Sequence, residues 1–84
     1  MYSVMYSGRA RRDIQKLDPA VRLSILEAIE DKLMRAPEAF GKPLRYSLRL
    51  IRALRLDDWR ILYQVSDVTV FIVTVRHRRK GYEK

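Results

Sequence analysis

Residues 48–75 constrain the fold more than any other part of the chain, because they form an almost unbroken series of strand-like segments. We predict strands over residues 48–56, 59–65 and 68–75, joined by tight turns at Asp57-Asp58 and Ser66-Asp67. The third segment, VTVFIVTV, consists almost entirely of β-branched and aromatic residues, which suit a pleated and buried surface. Since it is apolar on both faces, we expect a central strand that a helix covers on at least one side.

The predicted middle strand, residues 59–65, places its core residues and its arginine on opposite faces of the sheet. Successive side chains of a strand point to opposite faces of the sheet. One face would carry Trp59, Ile61, Tyr63 and Val65, and the other would carry Arg60, Leu62 and Gln64. We therefore expect one face of the sheet to form the core and the other to present basic side chains.

The first half of the chain predicts one strand and two helices. Residues 2–6 have strand character, and Ser7 is a suitable N-cap for a helix over residues 8–17. Asp18-Pro19 is a start signal for a second helix over residues 19–35. The apolar stripe that would bind this helix to the sheet consists of Val21, Ile25, Ile29 and Leu33.

The predicted order is β-α-α-β-β-β, with residues 38–47 as a loop. The fold class is α+β, a single domain over residues 1–84 in which a helical hairpin packs on one face of a small, mainly antiparallel sheet. We expect the first strand to pair with the last. The side chains of the first helix expected to face water are Arg9, Arg12, Asp13 and Lys16.

Composition excludes several classes of site. The chain has no cysteine and one histidine, so we expect no disulfide, no zinc site, no other metal and no cofactor. No segment approaches the roughly 18 apolar residues of a membrane span, and the N-terminus has no secretory pattern. These features predict a cytoplasmic protein with no membrane partner.

The net charge of +8 is concentrated in the second half of the chain. Residues 1–41 hold seven Lys/Arg and six Asp/Glu, whereas residues 42–84 hold eleven and four. Localised positive charge raises the affinity for polyanions without specifying a sequence. The strand-rich half is therefore expected to bind nucleic acid, with an acidic protein partner as the alternative.

Two basic groups are expected to converge on the exposed sheet face. Arg55 and Arg60 flank the Asp57-Asp58 turn, so a hairpin would bring them together. The last strand is followed by a basic run and an aromatic residue: Arg76, His77, Arg78, Arg79, Lys80 and Tyr82. Guanidinium groups hold phosphate bidentately and stabilise the charge of a phosphoryl transition state. RNA supplies its own nucleophile, the 2′-hydroxyl, so such a cluster suits metal-free RNA cleavage.

Other side chains of this region have two interpretations. His77 is either a general acid or base near neutral pH or a solvated member of a basic run. Tyr82 and Trp59 can each stack an unpaired base, but Trp59 also alternates with core residues.

Three blocks carry a family resemblance: GKPLR at residues 41–45, RALRLDDWRILYQV at residues 52–65 and VRHRRKGY at residues 75–82. Together with the length and the element order, they resemble the RelE/ParE superfamily of toxins from type II toxin–antitoxin systems, and the RelE branch in particular. The resemblance implies a ribosome-dependent mRNA endonuclease that uses 2′-hydroxyl attack. It also implies two kinds of partner, the ribosome with its mRNA and a cognate RelB-like antitoxin, which we expect to be acidic and helix-forming.

The resemblance also assigns site residues. In the catalytic set, Arg60 matches the transition-state arginine of the family, Arg78 its second arginine and Tyr82 its C-terminal tyrosine; His77 joins them as a candidate general acid or base on its own chemistry. Among the substrate-binding residues, Arg55 matches a basic family residue, and basic character adds Arg52, Lys42, Arg45, Arg79 and Lys80. The chain departs from the family pattern at Ile51 and Ala53, where RelE enzymes often carry basic residues. The candidates for the general base are then His77 and the loop residue Lys42.

Two alternative functions remain at this point. One is a ParE-like protein that inhibits DNA gyrase without cutting anything. The other is a catalytically weakened relative that binds RNA.

Overall fold

The computed structural model describes residues 1–44 and 50–78, which form three helices and five strands. The helices are α1 (Gly8–Gln15), α2 (Pro19–Ala28) and α3 (Pro37–Phe40), and a π-helical turn over Ile29–Leu33 continues α2. The strands are β1 (Ser3–Tyr6), β2 (Lys42–Pro43), β3 (Arg52–Leu56), β4 (Trp59–Ser66) and β5 (Thr69–His77). None of these helices is long and apolar enough to cross a membrane.

All five strands belong to one sheet with the order β1-β5-β4-β3-β2. β1 runs parallel to β5, as expected for a first strand that pairs with the last, and the other pairs are antiparallel. The predicted turn at Asp57-Asp58 is confirmed, but the second turn is shifted by one residue because Ser66 pairs with Thr69. Asp57 and Asp67 adopt φ values of 55° and 53°, a left-handed conformation that Asp tolerates better than most residues.

Helices α1 and α2 pack on one face of the sheet and enclose the core. Ile25, Ile29 and Leu33 are buried as the apolar stripe predicted, and Val21 packs beside them. They meet the buried strand residues Leu54, Ile61, Tyr63, Val70, Ile72 and Val75. The α+β prediction is therefore confirmed, with the helical hairpin on one face of the sheet.

Several predicted boundaries are wrong. The regular part of α2 ends at Ala28 and the π-helical turn at Leu33, two residues before the predicted end. The predicted loop over residues 38–47 overlaps most of α3 and contains the two-residue strand β2, and both elements are too short to show a periodicity. β3 begins at Arg52, and residues 45–49, which include the predicted strand start, lie outside the described part of the chain.

Asp13 does not face water as the helical period predicted. One of its carboxylate oxygens, Oδ2, accepts hydrogen bonds from the Thr74 hydroxyl at 2.6 Å and from the Val75 backbone N–H at 3.0 Å. These donors adjoin a bulge, because Leu62 pairs with Thr74 while Tyr63 pairs with Ile72, which leaves Val73 without a partner position. The carbonyl of Val73 in turn accepts a hydrogen bond from the Ser7 hydroxyl at 2.6 Å. Ser7 at the start of α1 and Asp13 near its end therefore both contact the bulge.

Candidate functional site

Three arginines form a row across the sheet. Arg55 on β3 is the cross-strand partner of Arg60 on β4, which is in turn the partner of Arg76 on β5. Cross-strand partners share a face, with Cβ atoms about 5 Å apart. Arg60 follows Trp59 and precedes buried Ile61, so the row lies on the face opposite α1 and α2. We call Arg55, Arg60 and Arg76 the arginine row.

The arginine row contains a residue outside the sequence-based site assignment. The sequence pattern places Arg76 only in the basic run, and the family resemblance assigns a catalytic role to Arg78. The structure places Arg76 directly opposite Arg60, with Arg78 two residues further along the chain. Arg78 is exposed, and its backbone N–H donates to the carbonyl oxygen of Asp58 at 2.6 Å, which ties it to the β3–β4 turn. Arg78 therefore lies just past the end of β5, beside the β3–β4 turn.

A cleft adjoins the row on the side of β2. Its volume is about 380 Å³, and its walls are Phe40, Lys42, Pro43, Leu44, Ala53, Leu54, Arg55 and Arg60. Lys42 reaches this cleft because it is the cross-strand partner of Ala53, which shares a face with Arg55. The cleft thus combines cations with the exposed apolar side chains of Phe40 and Leu44. Such a surface suits a phosphate joined to a partly unstacked base.

His77 does not join the arginines. It is the cross-strand partner of Trp59, and the two rings meet edge to face with centroids 4.9 Å apart. Trp59 packs against the core, so its partner His77 lies on the helix-covered side of the sheet. Both rings line a separate cavity of about 230 Å³ between α2 and the β3–β4 turn. The structure therefore separates His77 from the arginine row by the thickness of the sheet.

Arg52 also points away from the row. Its guanidinium donates to the carbonyl oxygens of Glu38 at 2.8 Å and Gly41 at 2.7 Å, and thereby fastens α3 to β3. The same region holds the buried Tyr63, whose hydroxyl donates to the Pro37 carbonyl at 2.5 Å. Burial raises the pKa of Tyr63 above its ordinary value of 10.0, and the nearby Arg52 offsets part of that increase. Arg52 therefore supports the edge of the sheet instead of lining the cleft.

The remaining candidates lie outside the described residues: Arg45, Arg79, Lys80 and Tyr82. Within residues 1–44 and 50–78, no three His, Asp or Glu side chains come together in a group that could hold a metal ion. Among the described residues, the cleft presents two guanidinium groups and one lysine.

Comparison with known proteins identifies the family. Residues 4–82 match the family model described as the ParE toxin of type II toxin–antitoxin systems, parDE. Toxin RelG of Mycobacterium tuberculosis is 36% identical over 85 residues, covering 99% of this chain and 98% of the relative. The chain belongs to the RelE/ParE superfamily. It is a toxin of a type II toxin–antitoxin system, similar to RelE.

Solved RelE structures share the fold of this RelE-like toxin. The crystal structure of a RelBE toxin–antitoxin complex from M. tuberculosis superposes with a TM-score of 0.84 at 38% identity, covering 92% of this chain and 98% of the other. The intact Escherichia coli RelBE complex gives a TM-score of 0.76 at 26% identity, with coverages of 92% and 96%. Both relatives were solved with an antitoxin bound.

Proposed function

We propose that this toxin is a ribosome-dependent endonuclease that cuts mRNA by metal-free attack of a 2′-hydroxyl on the adjacent phosphodiester. The arginine row is the main support for the proposal, because it aligns three permanently charged arginines as cross-strand partners on the sheet face opposite the helices. Two strand spacings separate Arg55 from Arg76, about 10 Å. Long side chains on either side of Arg60 can therefore reach a single phosphate.

The proposed role of the row is electrostatic. Negative charge builds up on the phosphoryl oxygens as the 2′-oxygen attacks, and preorganised guanidinium groups stabilise that charge more than they stabilise the ground state. Removing one such donor typically costs about 10²–10³ in rate, or about 3–4 kcal/mol. The expected products are a 2′,3′-cyclic phosphate and a 5′-hydroxyl, formed in the cytoplasm, where the ribosome would be the partner that presents the mRNA.

A cognate antitoxin with an acidic, helix-forming segment is the proposed second partner. Two observations support it: the +7 balance of residues 42–84 and the antitoxin-bound state of the solved relatives. Charge complementarity of this kind mainly accelerates association. The association rate with the product of the neighbouring open reading frame should fall steeply between about 0.05 and 0.5 M salt, as the Debye length shortens. An association rate that does not change with salt concentration would contradict the proposed electrostatic attraction between toxin and antitoxin.

The experiment for the nuclease proposal is primer extension on translated mRNA after induced expression. The parent should produce new mRNA ends within coding sequence, and Arg60→Ala and Arg76→Ala should not. Arg11→Ala is the matched control, because Arg11 is an exposed residue of α1 on the helix side of the molecule. New ends that persist in both row variants would contradict the assignment of the row.

DNA gyrase inhibition is the second candidate, since the matching family model describes ParE toxins. A supercoiling assay with purified gyrase separates the two. Inhibition of gyrase by the parent, with no mRNA cleavage and undiminished toxicity of Arg60→Ala, would favour this candidate. Ribosome binding without either activity would favour the catalytically weakened relative.

A further inference from the structure

The proposed reaction requires a proton that the arginine row cannot supply. When the bond between phosphorus and the 5′-oxygen breaks, the leaving oxygen needs a proton to depart as a hydroxyl. Arginine keeps its proton throughout the physiological range, so Arg55, Arg60 and Arg76 can stabilise charge but are poor proton donors. Some other group next to the row has to take part, and this inference rests on the proposed function.

Among the residues that the structure describes, the cleft beside the row contains one side chain suited to the task. Of its described walls, Phe40, Pro43, Leu44, Ala53 and Leu54 carry no ionisable side chain, and the two arginines are excluded as donors. Lys42 is left. Its ammonium group carries three protons on a flexible stem, and the residue lies beside Arg55 and Arg60 in the same cleft. His77, the other candidate, is on the far side of the sheet beside Trp59.

The sheet register explains why Lys42 is available there. β2 contains only two residues, and their pairing sets Lys42 opposite Ala53 and Pro43 opposite Arg52. Since Ala53 has a minimal side chain, the lysine stem can cross above it toward Arg55 without obstruction. The neighbouring backbone is fixed by Arg52, which holds the carbonyl of Gly41 at 2.7 Å. Lys42 of β2 thus lines the cleft opposite Ala53 of β3, a residue that has no proton to donate.

We propose that Lys42 is the general acid that protonates the leaving 5′-oxygen. The 2′-oxygen forms a bond to phosphorus and releases its proton to a solvent water. The bond between phosphorus and the 5′-oxygen breaks, and the Lys42 ammonium transfers one proton to that oxygen. The products are a 2′,3′-cyclic phosphate and a 5′-hydroxyl, and the neutral amine regains a proton from the solvent. The arginine row holds the phosphate throughout.

The test compares two mRNAs in the A site of programmed ribosomes, under single-turnover conditions. One mRNA is normal, and the other carries a bridging sulfur in place of the 5′-oxygen at the cleaved bond. A thiolate leaves without protonation because it is a much weaker base than an alkoxide. Lys42→Ala should lose about 10²-fold on the normal mRNA, a typical contribution of a general acid, and should recover most of that loss on the sulfur mRNA. Arg60→Ala should be slow on both.

Lys42→Arg separates proton transfer from simple charge. It keeps the positive charge but is a poor proton donor, so we expect it to be as slow as Lys42→Ala on normal mRNA and restored on the sulfur mRNA. Lys16→Ala, an exposed lysine at the end of α1, is the control and should match the parent on both. Because Lys42 is exposed on an edge strand, its replacement should leave the thermal unfolding curve in place.

Two results would overturn the assignment. One is a Lys42→Arg variant that cleaves normal mRNA at the parent rate, which would make Lys42 a phosphate-binding charge. The other is a Lys42→Ala loss of equal size on both mRNAs. If the parent protein cleaved neither mRNA, the proposed function would fail, and the role of Lys42 would fail with it. This outcome is distinguishable from the other two because it is seen with the parent protein and not with a variant.

Discussion

Arg60 and Arg76 lie opposite one another across the β4–β5 pair only because β5 contains one extra residue at Val73. Counting from the Ser66–Thr69 pair without a bulge, Arg60 would oppose Val75, and Arg76 would point toward the helices. The bulge reverses the faces for the rest of the strand. It buries Val75 in the core and turns Arg76 to the face of Arg60. A local irregularity in one strand therefore completes the arginine row.

Asp13→Ala should weaken this arrangement, because the carboxylate accepts hydrogen bonds from Thr74 and Val75 at the bulge. We expect the free energy of unfolding to fall by about 1–3 kcal/mol in urea titrations, since two partly buried donors lose their acceptor. Asp31→Ala, at an exposed position of the π-helical turn, should change it by less than about 0.5 kcal/mol. Equal unfolding midpoints for the two variants would show that Asp13 does not support the bulge.

The sequence predicts the strands well and the site less completely, for physical reasons visible in particular residues. The β-branched run of β5 and the alternation around Trp59 determine which strands form and which face of β4 is buried. Alternation also places Arg60 on the exposed face, and the Asp57-Asp58 turn brings Arg55 to it. The residues after the bulge at Val73 donate hydrogen bonds to a carboxylate of α1 more than 60 residues away, a contact that periodicity does not encode. Strand alternation alone therefore does not predict that Arg76 lies opposite Arg60, or that His77 lies beside Trp59 on the helix-covered side.

His77→Phe tests whether His77 takes part in cleavage, since the structure places it on the sheet face away from the arginine row. Phenylalanine keeps the edge-to-face contact with Trp59 but has no ionisable nitrogen. Since His77 lies on the helix-covered side of the sheet, we expect the variant to cleave mRNA at the parent rate and to retain the parent's pH–rate profile between about pH 5 and 8. The profile is measured in single-turnover reactions. Loss of a limb of that profile in His77→Phe would return this histidine to the catalytic set.

Gly41→Ala should be strongly destabilising even though Gly41 has ordinary backbone angles. A Cβ atom at this position would lie 1.8 Å from the Tyr63 hydroxyl oxygen and 2.8 Å from ring carbon Cε1, so the buried ring would have to move. Overpacking of this kind costs about 1–3 kcal/mol, which denaturant unfolding can measure. Gly8→Ala is the matched control, because its nearest neighbour would be Arg12 Nη1 at an ordinary 3.5 Å. Similar stabilities for the two variants would contradict the close approach of Tyr63.

Tyr63 also predicts an alkaline limit to stability. Burial raises its pKa in the folded protein above the ordinary 10.0, and burial with the nearby Glu30 does the same for Tyr6. A raised folded pKa gives stability that is complete below about pH 10 and is lost as the pH rises through the folded value. Tyr63→Phe should lower stability by about 1 kcal/mol at neutral pH, through loss of the bond to Pro37, and should flatten the alkaline decline. If the free energy of unfolding falls equally steeply with pH above about 10 in the parent and in Tyr63→Phe, Tyr63 is not a source of the alkaline loss of stability.

The most direct test of the account is the single-turnover rate of mRNA cleavage on programmed ribosomes for Arg60→Ala, Arg76→Ala and the double variant. Each single variant should lose about 10²–10³ in rate while keeping the parent's unfolding curve. If both guanidinium groups act on one phosphate, the double variant should lose less than the product of the two single losses. Single variants that cleave as fast as the parent would contradict the claim that the arginine row stabilises the transition state.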